Sequence, residues 1–252
     1  MRKFERFSAI LDQLAGNGSA SVEELSDRLG VSGATVRRDL TQLAEQRLLT
    51  RTHGGAVVQA VSYELPVRYR TERHSEQKQR IAKAAADMVP EGGVAGITGG
   101  TTTTEAARVL ATRQGLTVVT NALNIAAELA VRPNLSLIVT GGMARSASFE
   151  LVGPVAEQTL AGYHLDVALV GVDGIEATAG CTTHDDTEAR TNAVLLKQSK
   201  RVVVLADSTK LGRVAFATIC PLSAIHTLIT DQDAGPAELA RLQADGLDIR
   251  IV

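Results

Sequence analysis

From the amino end, Phe4, Phe7, Leu11 and Leu14 recur at the spacing of one helix face, and Gly16-Asn17-Gly18 stops the run. Residues 3 to 15 are therefore predicted as an amphipathic helix. A second helix opens at Ser21, whose hydroxyl is placed to cap free amides while Glu24 reaches back from the third position. Val22, Leu25 and Leu29 form its inner face, and Gly30 supplies the left-handed residue that ends it. A third begins at Ser32, again a good N-cap, with Val36, Leu40 and Leu43 as its buried stripe. With Val36 inward and about 100° of rotation per residue, Ala34 and Arg38 point outward while Thr35 and Arg37 lie on the flanks. Leu48-Leu49-Thr50-Arg51-Thr52 and Ala56-Val57-Val58, about the turn His53-Gly54-Gly55, read as a short two-stranded hairpin.

Residues 59–75 lack a period and contain Pro66, which marks a connector, although Tyr63, Leu65, Val67 and Tyr69 are apolar enough to dock. A helix runs from Glu76 toward Met88. Short β-rich runs then alternate with helical ones. The strands are Val94–Thr98, Leu116–Thr120, Leu135–Thr140, Val167–Val172, Arg201–Ala206, His226–Thr230 and Asp248–Val252. The helices include Thr103–Arg113, Ala122–Val131, Pro154–Ala161, Asp186–Ser199 and Pro236–Ala244. That alternation predicts a mainly parallel twisted sheet covered on both faces. The fold class is α/β, with an N-terminal winged helix-turn-helix (1–58), a linker (59–75) and a C-terminal Rossmann-like domain (76–252).

Two short helices about a glycine turn, the second opening with small residues and then arginines, form the layout that enters a major groove. Small side chains let the helix sink in, and Arg bonds a guanine edge with two hydrogen bonds. Hydroxyls and arginines on the flanks hold phosphates. The candidate contacts to a double-stranded DNA operator are Ser32, Thr35, Arg37 and Arg38 on the helix, with Arg51 and His53 on the wing. Asp39 is assigned to orienting an arginine, because a carboxylate facing phosphates would repel them.

Ligands of an open parallel sheet lie beyond the carboxyl ends of its strands. Those ends carry Gly99-Gly100-Thr101-Thr102-Thr103, then Asn121, Gly141-Gly142, Asp173-Gly174 and Asp207-Ser208-Thr209-Lys210. Glycine followed by threonine at a helix start offers free N–H groups, the positive end of the helix dipole and hydroxyls, a set suited to phosphate. Lys210 adds a point charge for the same anion. No Gly-Lys-Ser/Thr follows, and the Gly-x-Gly-x-x-Gly spacing of a dinucleotide site is absent.

Composition narrows the classes. A net charge of −2 excludes coating of nucleic acid by bulk electrostatics. Aromatic residues at 3%, with no Trp, remove the stacking platform that single strands need. No apolar stretch approaches the roughly 18–20 residues of a membrane span, so no membrane partner and a cytoplasmic location are expected. Cys181 and Cys220 lack the pattern of a zinc site or a disulfide framework and read as small buried residues. His53, His74, His164, His184 and His226 are scattered, and His184-Asp185-Asp186 reads as a polar loop, so no metal and no cofactor are expected.

The string VSGATVRRDLTQLAEQRLLTRTHGGAVV, residues 31–58, resembles the signature of the DeoR-type repressors, named for the deoxyribose-operon repressor. The resemblance continues through NALNIAAELA, TGG, LVGPVAEQTL, DVALVGVDGI, GCTT and LADSTKLGR, so it covers nearly the whole chain. It implies a repressor of a sugar or carbon metabolism operon, assembled as a homodimer or homotetramer. Its effector domain is of the sugar-phosphate isomerase type and is controlled by a phosphorylated sugar or related metabolite. Gly99, Gly100, Thr101, Thr102 and Thr103 then belong to the phosphate loop. Asn121, Gly142, Asp173, Thr182, Thr183, Glu188 and Lys210 line the rest. One departure is visible: the family commonly reads Asp-Ser-Gly-Thr-Thr where this chain has Thr98-Gly99-Gly100-Thr101-Thr102, so an acidic group is missing. The alternative is a sugar-phosphate isomerase carrying a DNA-binding domain. Against catalysis, the Asp-Gly-Ala-Asp-Glu run of such enzymes is replaced by Asp173-Gly174-Ile175-Glu176.

Overall fold

The computed structural model describes residues 1, 3–46, 48–57, 64–244 and 246–252. The chain divides into two units, Met1–Glu72 and Arg73–Val252.

In the first unit, helix α1 spans Lys3–Asn17, strand β1 Ser19–Ser21, α2 Val22–Leu29 and α3 Gly33–Glu45. Both caps form as the sequence predicts. The Ser21 side chain accepts from Glu24 N–H while Glu24 accepts from Ser21 N–H, and Ser32 accepts from Thr35 N–H. Phe7, Leu11, Leu14, Leu25, Leu29, Val36, Leu40 and Leu43 close into one core. Each large side chain so buried contributes about 1.5–3 kcal/mol. The wing is the antiparallel pair β2 (Thr50–Arg51) and β3 (Gly55–Val57), joined on its other side by β1. That third strand was not expected, since three residues show no period. Gly55 is where it docks: a Cβ there would lie 2.1 Å from Ala20 O, so only glycine lets the strands approach.

Helix α4 (Val67–Arg70) lies in the segment read as a connector, and it packs on the first unit. Tyr69 is buried, with its ring 6.2 Å from Phe7, and its hydroxyl donates to Gln46 Oε1 at 2.6 Å. Leu65 packs against the same core. Val58 and Tyr63, read as the end of the wing and as a docking residue, lie outside the described residues.

The second unit opens with α5 (Ser75–Ala86). Then come β4 (Val94–Ile97), α6 (Thr101–Leu110), β5 (Thr117–Thr120), α7 (Leu123–Leu129) and β6 (Ser136–Val139). A short hairpin, β7 (Met143–Ala144) and β8 (Leu151–Val152), precedes α8 (Pro154–Ala161) and β9 (Val167–Gly171). β10 (Gly174–Glu176), β11 (Gly180–Thr183), α9 (Asp186–Lys197), β12 (Val202–Leu205) and β13 (Ala217–Cys220) follow. The chain ends with β14 (Thr227–Thr230), α10 (Pro236–Ala244) and β15 (Asp248–Ile251).

The seven predicted strands form one parallel sheet, ordered β15-β14-β12-β9-β4-β5-β6. Its two faces bury alternate residues. Val167 and Leu169 of β9 join Val203 and Leu205 of β12 on one face, and Ala168, Val170, Val202 and Val204 lie on the other. That is why these strands read as unbroken apolar runs. Helix α6 begins at Thr101 rather than Thr103, which places Thr101 and Thr102 in its first turn. The small antiparallel sheet β10-β11-β13 was not foreseen. Cys181 and Cys220, read as small buried residues, are indeed buried and reduced, and the small sheet adds that they are cross-strand partners in β11 and β13.

Candidate functional site

On the first unit, Ala34, Arg37 and Arg38 are exposed on α3 and Thr35 is half-buried, which matches the expected outer face. Ser32 Oγ serves the cap, accepting from Thr35 N–H at 3.2 Å and lying 3.0 Å from Thr35 Oγ1. Exposed Arg51 donates to Thr41 Oγ1 at 2.9 Å, which holds the wing arginine beside α3. His53 is exposed at the wing turn. Asp39 does orient an arginine, but it is Arg6 of α1, which donates through Nε at 2.7 Å and NH2 at 3.1 Å. This two-bond pair fixes α3 against α1, and donating to the Asp39 carboxylate raises the Arg6 pKa.

In the second unit the chain leaves β4 for β5 and β6, then returns to the other side of β4 at β9. The direction of winding therefore reverses between the carboxyl ends of β4 and β9, where open sheets of this kind hold ligands. The Gly99–Gly100 turn and Gly171 meet there, with Gly171 N–H donating to Thr98 Oγ1 at 3.0 Å. Helix α6 starts from Gly100 with no capping side chain, so its first amides are left unclaimed by a side-chain cap. Thr103 and Thr104 donate to Gly100 O at 3.1 and 2.6 Å and brace the turn. No hydrogen bond ties the hydroxyls of Thr101 or Thr102 among the described residues.

Around the turn lies a buried polar network. Gly99 N–H donates to Glu150 Oε1 at 2.5 Å. Asn192 Nδ2 reaches the same oxygen at 3.4 Å, and Asn121 donates to Asn192 Oδ1 at 3.2 Å. Thr183 Oγ1 lies 2.6 Å from Glu188 Oε1 and 3.0 Å from Asp173 Oδ2. Lys210 stands 3.7 Å from Asp173, and Arg145 pairs with Glu188 at 3.0 Å and with Asp185 at 3.1 Å. Burial, together with the adjacent Glu188 carboxyl, pushes the Glu150 pKa well above the ordinary glutamate range, against the pull of the Gly99 and Asn192 bonds. Burial raises Glu188 as well; its bond from Thr183 opposes the shift, and the Asp173 charge adds to it.

The residues named from sequence thus divide. Asn121, Asp173, Thr183, Glu188 and Lys210 form a connected set. Gly100, Thr101 and Thr102 form the uncapped start of α6. Gly99, Thr103 and Thr182 act as braces, since Gly99 N–H is held by Glu150 and the Thr182 hydroxyl donates to Gly174 O and accepts from Ala215 N–H. Gly142 packs at the start of α8, where a Cβ would lie 2.9 Å from Val152 O. Glu176 accepts from Thr178 and Ala179 N–H, which caps a turn and lowers its pKa.

Sequence reasoning missed Glu150, Asn192 and Arg145. Asn192 was within reach, because Glu188, Thr191 and Asn192 form a polar stripe at helical spacing along a buried face. Glu150 and Arg145 sit in a loop with no period. Among the described residues, no group of three or more His, Cys, Asp or Glu is placed to hold a metal ion, and no helix is long and apolar enough to cross a membrane.

A winged helix-turn-helix followed by a parallel α/β unit with a polar crevice at its winding reversal defines a DNA-binding regulator with a small-molecule sensor domain. Residues 6–60 match the DeoR-like helix-turn-helix domain, and residues 73–232 match the DeoR C terminal sensor domain. The chain belongs to the DeoR family of transcriptional regulators. It is 33% identical to the glycerol-3-phosphate regulon repressor of Escherichia coli, over 92% of both chains. It is 34% identical to the HTH-type transcriptional regulator GolR of Listeria innocua, over 100% of this chain and 99% of that one. It is 32% identical to the HTH-type transcriptional repressor GlcR of Bacillus subtilis, over 100% and 97%. These near full-length relatives are regulators, which sets aside the isomerase alternative. A ribose 5-phosphate isomerase A structure from Methanocaldococcus jannaschii overlaps 54% of each chain at 20% identity with a TM-score of 0.41, a likeness too slight to bear on activity.

Proposed function

We propose that this regulator is a repressor of a sugar or carbon metabolism operon, released from or returned to its operator by a phosphorylated sugar or related metabolite bound in the second unit. The observation that carries the effector class is the uncapped N-terminus of α6 at the winding reversal, with Thr101 and Thr102 in its first turn. Three free amides, a dipole end and two unengaged hydroxyls favour a phosphoryl group, and Asn121, Asp173, Thr183, Glu188 and Lys210 offer both donors and acceptors to hydroxyls. The operator is read by Arg37 and Arg38 of α3 with Thr35 beside them, and Arg51 and His53 engage the backbone or minor groove. Two or four copies place paired winged units on repeated half-sites, and the protein acts in the cytoplasm.

Ligand and DNA are coupled if the effector prefers one conformation of the second unit and that preference alters the spacing of the paired winged units.

The test is a thermal-shift screen of sugar and polyol phosphates. A ligand at a hundred times its dissociation constant adds about 2.7 kcal/mol of stability. The double variant Thr101→Val, Thr102→Val is expected to lose that gain, with operator binding in the absence of phosphates reporting that the winged unit is intact. A full gain in the double variant places the phosphate elsewhere. Failure of the protein to bind its own promoter fragment at low ionic strength, with and without phosphates, removes the regulator mechanism altogether.

A further inference from the structure

The Gly99 turn is shaped around a side chain that comes from 51 residues further along the sequence. A Cβ on Gly99 would lie 2.5 Å from Glu150 Cγ and 2.7 Å from its Oε1, so glycine is required because Glu150 fills that space. Glu150 is 1% exposed. Oε1 accepts from Gly99 N–H and from Asn192, while Oε2 is buried without a donor. Asn121 Oδ1, two hydrogen bonds away through Asn192, is buried and unpartnered as well.

We propose that Glu150 is a positioning residue of the effector pocket, holding the phosphate loop through Gly99 with one oxygen while its carboxyl lies near that of Glu188, so that loop and acid respond to a ligand together. The inference rests on the phosphoryl reading of α6 given above.

Glu188 and Asn192 lie one turn apart on the buried face of α9, and Asn192 reaches Glu150, which brings the two carboxyls close; no N–H reaches Glu150 Oε2, so a proton held by the pair avoids burying two charges together. The Thr183 hydroxyl points to the same need. It has one proton and two carboxylate neighbours, Glu188 and Asp173, so one of those contacts must draw its proton from a carboxyl. The charged groups around the pair are Glu188 and Asp185 from the start of α9, Asp173 after β9, Arg145 after β7, and Lys210 beside Asp173. With one proton shared, Glu150 and Glu188 carry a single negative charge, which Arg145 offsets. When that proton leaves, a second negative charge appears next to the residue that starts the phosphate loop, and an anion there is repelled.

The experiment measures inorganic phosphate binding to the full chain, wild type, Glu150→Gln and Glu150→Ala, from mildly acidic to mildly alkaline pH. Glutamine keeps an acceptor for Gly99 and gives Glu188 a permanent donor, so it imitates the protonated pair. The affinity ratio of Glu150→Gln to wild type is expected to rise about tenfold with pH, the size of one unit-charge repulsion over ~10 Å at an effective dielectric of about 20. Taking the ratio cancels the titration of phosphate itself. Glu150→Ala is expected to bind phosphate at least about tenfold more weakly than wild type at every pH, the loss of one charge-assisted bond to the loop. Infrared spectra over the same pH range should show a carboxylic-acid carbonyl band in the wild type that persists above the ordinary glutamate range and is missing in Glu150→Gln, a readout independent of ligand and of the alanine variant folding. Superimposed pH profiles for wild type and Glu150→Gln, or no acid band, overturn the proposal while leaving the phosphate reading in place. If inorganic phosphate fails to bind the wild type, or binds equally to the Thr101→Val, Thr102→Val variant, the phosphate reading and this inference fall together.

Discussion

In the winged unit Arg37, Arg38, Arg51 and His53 stand in solvent above a core of Phe, Ile and Leu, whereas the sensor domain buries its polar groups. Asn121 is 0%, Glu150 1%, Thr183 2% and Glu188 6% exposed. Under the proposed function the contrast follows from the size of what each meets. A duplex is a large charged surface, so its contacts must be displayed, and water and salt screen them. A metabolite is enclosed, so its contacts are desolvated, each polar atom needs a partner, and protonation shifts. Salt should therefore tune one half of the molecule and pH the other.

Four changes test that contrast. The largest effect is expected from Gly55→Ala, which drives a Cβ against the backbone of β1; overpacking costs about 1–3 kcal/mol or more, and a backbone neighbour cannot rotate away. Denaturation followed separately for each unit should show the loss in the winged unit only. Arg38→Ala is expected to leave stability within about 0.5 kcal/mol, since the side chain is exposed. It should weaken operator binding by about 1–3 kcal/mol, as measured by titration of labelled duplex. Unchanged operator affinity removes Arg38 from the base contacts.

The third is a pH effect on stability. Glu150 and Glu188 have folded pKa values above their unfolded ones, so the folded state holds extra protons. The stability they contribute is complete below the ordinary glutamate range and is lost as pH rises through the raised values. The melting temperature of the sensor unit should fall with pH in that window, and Glu150→Gln should flatten the curve. An equal fall in both proteins assigns the effect to other groups. The smallest change is expected from Arg51→Ala, which should reduce the slope of log affinity against log salt by about 1, one phosphate contact. An identical slope takes the wing off the backbone.

Reading from sequence succeeded where a repeated pattern meets a core. All seven parallel strands, the Ser21 and Ser32 caps and the outward face of α3 were legible, because alternate burial and helical spacing leave a periodic trace in residue type. The glycine-threonine loop was legible too, as strand ends are where such sheets bind. Arg6 was not visible as the partner of Asp39, nor Cys220 as the neighbour of Cys181, since each pair is joined by a fold-level register with no local signature. Helix α4 was read as connector because four residues carry no period, and what holds it is the burial of Tyr69 against Phe7.

The acid missing from the first loop shows most clearly where the two kinds of information part. Residue order alone specified the winged helices, the seven strands of the parallel sheet and a glycine-threonine turn at Gly100–Thr102, because these depend on contacts between near neighbours and on the chain's alternation of apolar and polar positions. Only the folded chain supplied Glu150 to the space beside Gly99 and set it against Glu188. Closeness between residues far apart in sequence is decided by how the sheet winds and which loops its reversal brings together, and no pattern along the chain encodes that distance.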